Sequence, residues 1–323
     1  MKAFISNRLL FVLISSFCMV PSAFAAEQIN EQRDVQANEK ISIENMRGTV
    51  EIVAVKKNLF SVKGKLDEKA DGFELISKDG ITRFKVKTPR LNYSGWNDNI
   101  DKDGSMLQIE VPVGSQIEFT GVNANVTATG VEGGTKLTTV NGKIIAQQLK
   151  NDVMLETVNG EIDSINNAGR IQLNTVNGEI TDQGSSGRLS AESVNGEITL
   201  QSGATEVDVS VVNGEADLQL TGTERLDFSA VNGDITAVIK ESLAPRITTS
   251  TVSGSTTLKL EPKINARFRL IASAGGSISN KLTSQKADKA KYGPRRSLEF
   301  STGSGDGNID MSTVSGHLTV ETP

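Results

Sequence analysis

Between Val153 and Arg170 the hydrophobic and polar positions alternate. Val153, Leu155 and Thr157 fall on one side and Met154, Glu156 and Val158 on the other. That period of two predicts a strand with one buried face. Asn159-Gly160 breaks the alternation and predicts a tight corner, where both residue types tolerate positive φ. Ile162 and Ser164 then resume the inward face on a second strand, and Asn166 to Arg170 read as a polar corner leading into the next unit.

The unit recurs. Val122, Val140, Val158, Val176, Val194 and Val212 each precede an asparagine and follow one another at 18-residue spacing. The spacing widens to 19 at Val231 and 21 at Val252, and Val314-Ser315-Gly316 repeats the corner after a long interruption. Laid over one another, the units align Leu137, Leu155, Leu173 and Val209 in one column and Ile144, Ile162, Ile180, Ile198 and Ile235 in another. One unit is too small to bury its own apolar face, so stacked neighbours must supply the core.

The expected fold is therefore all-β, a single-stranded β-solenoid or β-helix with coils of about 18 residues. No strict six-residue sub-period is present, which favours a right-handed or flattened coil. About ten layers at roughly 4.8 Å each would make a rod on the order of 50 Å long. The corners predict a structural turn ladder of Asn141-Gly142, Asn159-Gly160, Asn177-Gly178, Asn195-Gly196, Asn213-Gly214 and Asn232-Gly233, in which stacked amides hydrogen-bond from coil to coil.

Residues 26–118 lack the strict period but carry strand patterns at Ile41 to Asn45, Thr49 to Val55, Phe60 to Leu66, Phe73 to Ser77, Ile81 to Lys87 and Leu107 to Val111. They are expected to form an irregular β N-terminal cap and the first coils. Residues 119–323 would hold the repeats, with a basic loop inserted at 281–296. Glu321 and Pro323 would discourage further pairing at the far end.

Residues 1–25 read as a signal peptide. Lys2 and Arg8 are followed by the apolar run Leu9 to Val20 and the small-x-small site Ala23-Phe24-Ala25. The only cysteine, Cys18, would leave with it, and Phe17 before it argues against a lipid anchor. An exported chain without disulfides must be held by packing and strand ladders alone. The net charge of −5 becomes −7 without Lys2 and Arg8, which argues against nucleic acid as a partner. No later segment is long and apolar enough for a membrane helix.

Several residues resemble the "putative-adhesin" β-strand-repeat family of bacterial envelope proteins, whose biochemical function is not established. They are Glu44-Asn45-Met46-Arg47-Gly48-Thr49-Val50-Glu51-Ile52, Val111-Pro112-Val113-Gly114, and the Thr-Val-Asn-Gly series beginning at Thr139, Thr157 and Thr175. The resemblance covers about residues 34–322. It implies an architecture and carries no catalytic residues, so the adhesin name is an analogy.

Four features are candidates for chemistry. Two positions after each corner asparagine stands an acid (Glu161, Glu179, Glu197, Glu215, Asp234), a row that reads either as a cation-binding stripe or as a solvated edge. Asn99, Asp101, Asp103 and Glu110 nearly match a calcium loop, but Asn stands where the first ligand should be Asp and no helical pattern flanks them. Tyr93 and Trp96 are aromatics placed either to contact a ligand or to fold over the cap. The loop 281–296 carries Lys281, Lys286, Lys289, Lys291, Arg295 and Arg296 against Asp288 alone, a candidate partner contact for lipid phosphates, lipopolysaccharide or an acidic protein.

No cofactor, resident metal or catalytic residue is expected. His317 is the only histidine and reads as exposed, which removes the usual zinc, Cys-His and most Ser-His arrangements. The reading is a non-enzymatic structural or binding protein of the periplasm or cell surface, with envelope components or another protein as partner. The alternatives are a polysaccharide-active β-helix enzyme and a periplasmic accessory protein in envelope-stress signalling.

Overall fold

The alternation seen in the sequence becomes two stacked faces. In the computed structural model, which describes residues 27–88 and 104–323, the described residues form 29 strands in two sheets of 14 and 15 strands, and no helix. Most neighbours pair in parallel, and the chain passes from one sheet to the other at each corner, a β-solenoid-like arrangement. In the repeat, Lys150–Asn159 lies in one sheet and Ile162–Ile165 in the other. Residues 18 apart are paired: Leu155 with Leu173 and Ile162 with Ile180.

The core lies between the sheets. Leu137, Leu155, Leu173, Ala191, Val209 and Phe228 form one inward column, paired coil to coil. Ile144, Ile162, Ile180, Ile198, Ala216 and Ile235 form the facing one. All are buried. Polar residues at the intervening positions point outward, which is why adjacent repeats can differ there freely.

Positive φ is not what the Asn-Gly corners share: of their six glycines only Gly214 has it, at φ 152. Among the residues with φ in the left-handed region are Gln148 (φ 55), Asn166 (φ 53) and Gly184 (φ 72), all on the opposite corner. Gly142, Gly160, Gly178 and Gly196 are glycine for another reason. A Cβ on Gly160, Gly178 or Gly196 would lie 2.0, 1.8 or 1.8 Å from the carbonyl oxygen of the glycine one coil earlier. The corner is a place of close backbone approach.

A segment towards each end of the described residues is tucked inside the stack, between two coils that it separates. Near the start, Lys40–Glu44 pairs in parallel with both Ile81–Val86 and Gln116–Thr120, and Arg47–Val55 with both Ser105–Pro112 and Asn123–Thr129. At the other end, Gly307–Thr313 lies between Arg246–Ser253 and Ala266–Ala272, and His317–Glu321 between Ser255–Leu260 and Ser277–Asn280. Leu318 and Val320 are consequently buried. The expectation that Glu321 closes the stack is corrected: its strand is interior, and other segments supply the edges.

Three of the four sheet edges end on antiparallel pairs. Gln28–Asp34 pairs with Leu59–Lys65, Phe73–Lys78 with Ile81–Val86, and Arg296–Thr302 with Ala266–Ala272 and the short strand Asp288–Lys289. A parallel stack left open would invite further pairing, and a reversed strand blocks continuation of the coil.

Candidate functional site

The repeated corner is a regular surface feature of the described residues. From Asn123 to Asn232, the amide nitrogen of each corner asparagine donates to the side-chain oxygen of the asparagine one coil earlier, at 2.7–3.2 Å. Ser253 caps the row by donating to Asn232. The backbone runs its own ladder round the same corner: Gly160, Gly178, Gly196 and Gly214 N–H groups donate to Asn177, Asn195, Asn213 and Asn232 carbonyls.

Just before each corner asparagine from Asn159 to Asn232, and before Ser253 and Ser315, the side chain points outward, whereas Val122 and Val140 are half-buried. Val158, Val176, Val194, Val212, Val231, Val252 and Val314 are therefore exposed, by 37–45 %. They form a row of apolar side chains along the stack. Beside four of them runs a shallow groove of about 520 Å³, with Glu156 and Glu192 on its other side. The acids Glu161, Glu179, Glu197, Glu215 and Asp234 flank the asparagines on the far side and are exposed. Lys143 continues their column and pairs with both Glu161 (3.0 Å) and Asp163 (2.8 Å). The two carboxylates hold the Lys143 ammonium above its ordinary pKa. Asp234 accepts from the Ser255 N–H at 2.7 Å. Among the described residues no three metal-ligating side chains gather at one point.

A second charged group lies on the outward face of the 15-stranded sheet. Arg188, Glu206, Arg225 and Arg246 occupy one column, and Asp208 and Asp227 pair in another two positions on. Burial raises the Asp208 carboxyl above the usual range, and Asp227 one coil away adds to this while Arg225 and Arg188 oppose it. Arg188 pairs with Glu206 and Arg225 with Asp227, in both cases exposed contacts of small energetic value.

A family model named Toastrack DUF4097 matches residues 38–321. The chain belongs to that family. No curated protein matches it. Solved structures similar to this Toastrack chain include a "putative adhesin" from Bacteroides fragilis, with 14 % identity, a TM-score of 0.39, and 93 % of this chain and 98 % of that one covered. A "putative lipid binding protein" from Parabacteroides distasonis has 11 % identity, a TM-score of 0.37, and coverage of 91 % and 96 %. A "putative cell adhesion protein" from Clostridium sporogenes has 8 % identity, a TM-score of 0.22, and coverage of 92 % and 100 %. At these levels the likenesses bear on neither the site nor the activity.

Of the calcium-loop candidates in this Toastrack chain, Glu110 lies on the strand Ser105–Pro112 and accepts from the Ser61 hydroxyl at 3.1 Å. Asn99, Asp101 and Asp103 lie outside the described residues, as do Tyr93, Trp96 and the expected signal peptide. His317 is not exposed as expected. It is half-buried, and its Nδ1 contacts the Ser277 hydroxyl across the register Ser277–His317. Among the described residues no carboxylate hydrogen-bonds that ring.

Sequence reading missed a polar cluster inside the core. Asp182 stands in the inward column between Ser164 and Leu200 and is fully buried, with Asn167 and Ser185 beside it. Ser185 donates to Asp182 Oδ1, while Oδ2 has no hydrogen-bond partner. Burial raises this carboxyl, against the opposing hydroxyls of Ser164, Ser185 and Ser202. A carboxyl whose folded pKa is raised binds a proton more tightly in the folded state. Its contribution to stability therefore falls as pH rises from the ordinary value of 3.8 through the folded one, by about 1.4 kcal/mol per pH unit within that window. Asp182→Asn is expected to remove this slope, measured as urea midpoints across pH; an unchanged slope would show that Asp182 titrates alike in both states.

Proposed function

We propose that this protein is a non-enzymatic, exported structural and binding protein of the bacterial cell envelope, adhesin-like in its use of a long repetitive surface. Its coils of about 18 residues wind right-handedly, residues 26–118 act as cap and first coils, and residues 119–323 present the contact surface. The observation that carries this reading is the row of exposed valines. A linear apolar strip repeated on successive coils is the surface of a molecule that engages something extended, because water-facing apolar area of that continuity marks an interaction site.

The test is the triple substitution Val176→Thr, Val194→Thr and Val212→Thr, which keeps shape and strand propensity while adding a hydroxyl to each. Retention of the purified protein on isolated envelope fractions is expected to fall several-fold, with circular dichroism and melting temperature unchanged. Equal retention would overturn the reading. So would new reducing ends or unsaturated products from a polysaccharide panel, which would point to the charged face around Asp208 and Asp227.

A further inference from the structure

The charge of this molecule is unevenly placed along its axis. Residues 119–260 carry 9 basic and 17 acidic side chains, a net charge of −8, whereas residues 281–296 carry six basic and one acidic, net +5. The basic segment crosses one end of the stack. It leaves the outermost strand of one sheet, Ser277–Asn280, and reaches the outermost strands of the other, Asp288–Lys289 and Arg296–Thr302. It is anchored from beneath, because Leu282 and Ala287 pack against the core and Lys281 pairs with Glu321 at 2.7 Å.

The remaining cations face outward. Lys286, Lys289, Lys291, Arg295 and Arg296 are exposed, and none makes an ion pair among the described residues. Between them projects Tyr292, 82 % exposed, with the Lys291 ammonium 5.4 Å from its ring centre. The turn after it is made by Gly293, at φ 89, and Pro294.

We infer that this end of the stack docks on an anionic lipid surface. Five unpaired cations spread over the end of a two-sheet stack present a flat positive face, and each Lys or Arg held near an anionic leaflet strengthens binding about fivefold. A tyrosine at that level suits the headgroup region, where its ring is half in apolar surroundings and its hydroxyl stays wet. The acidic flanks are repelled by the same surface, so the charge pattern holds the stack end-on with its valine row free. The inference deepens the envelope reading by naming a partner, but vesicle binding can be tested without it.

The experiment is co-sedimentation with vesicles of pure phosphatidylcholine and of an equimolar phosphatidylcholine and phosphatidylglycerol mixture. It compares the protein with the variant Lys286→Gln, Lys289→Gln, Lys291→Gln, Arg295→Gln, Arg296→Gln, which shares the same N-terminal segment. The parent is expected to bind the anionic vesicles, and the variant at least about 100-fold more weakly, with the difference vanishing at high salt. Tyr292→Ser should weaken binding several-fold without changing the salt dependence. Equal binding by parent and variant overturns the proposal. So does self-association of the parent without lipid that the five substitutions abolish, which would assign the basic end to the acidic row of a second copy. The valine triple variant should bind vesicles like the parent, which separates failure of this proposal from failure of the adhesive one.

Discussion

Arg47→Met is expected to destabilise the fold by about 3–5 kcal/mol, because it leaves a buried carboxylate without its counter-charge. Arg47 lies at the start of the tucked strand Arg47–Val55 and pairs side-on with Asp67, Nε to Oδ2 at 2.8 Å and Nη2 to Oδ1 at 3.0 Å. Both side chains are almost wholly buried. Asp67 also accepts from the Lys69 N–H at 2.8 Å, and its own N–H donates to the Ser105 hydroxyl at 3.0 Å. Asp67 follows the capping strand Leu59–Lys65, so the pair ties the first coil to the antiparallel segment that closes the stack. Replacing both partners by apolar residues of similar volume removes the desolvation penalty along with the attraction and is often neutral. The double variant Arg47→Met, Asp67→Leu should therefore recover most of the loss. Urea unfolding followed by circular dichroism gives both values. A single-variant loss under about 1 kcal/mol would place the pair among exposed bridges of little worth.

The parts of the fold legible in the sequence are those that repeat. An 18-residue period specifies which residues meet, so Leu155 over Leu173 and Asn159 over Asn177 could be written from spacing alone. Strict alternation likewise placed Val158 on the outward face with Glu156. The tucked segments were not legible. Ile41 to Glu44 and His317 to Glu321 look like strands, but which two coils each separates is decided by contacts between segments with no shared period. Arg47 was visible only as one letter of a motif, because its partner twenty positions on lies in an irregular stretch.

The site was legible to the same degree. The acid row and the basic segment follow from position, since charge counts need no tertiary information. Asp182 carried a signal that went unused: it stands 18 residues after the inward Ser164 and two after the inward Ile180, so the period alone places it in the core, between Ser164 and Leu200. The corner glycines were expected for their tolerance of positive φ, which among them only Gly214 uses, whereas close backbone approach is common to the row. Positive φ is a property of one residue, whereas carbonyl-to-Cα approach belongs to two coils at once and appears only in the stack.

That distinction leads to the second large effect, at Gly178. A Cβ there would sit 1.8 Å from the Gly160 oxygen and 2.8 Å from its carbonyl carbon, both backbone atoms that no rotamer change can move. Gly178→Ala must lift one coil from the next at the corner, where Gly160 N–H donates to Asn177 and the Asn177 amide donates to Asn159. The expected loss is about 3 kcal/mol, at the upper end for overpacking. It should also change the form of unfolding. In a stack each coil touches only its neighbours, so a weakened interface in the middle uncouples the two halves. The variant should show two separated transitions where the parent shows one. Gly203→Ala is the control: its φ lies outside the left-handed region and its nearest neighbour, the Ser185 oxygen, is 3.7 Å away. That substitution should stay within about 0.5 kcal/mol of the parent. If the two alanine variants unfold alike in urea, the corner glycines are dispensable and the ladder rests on the asparagines alone.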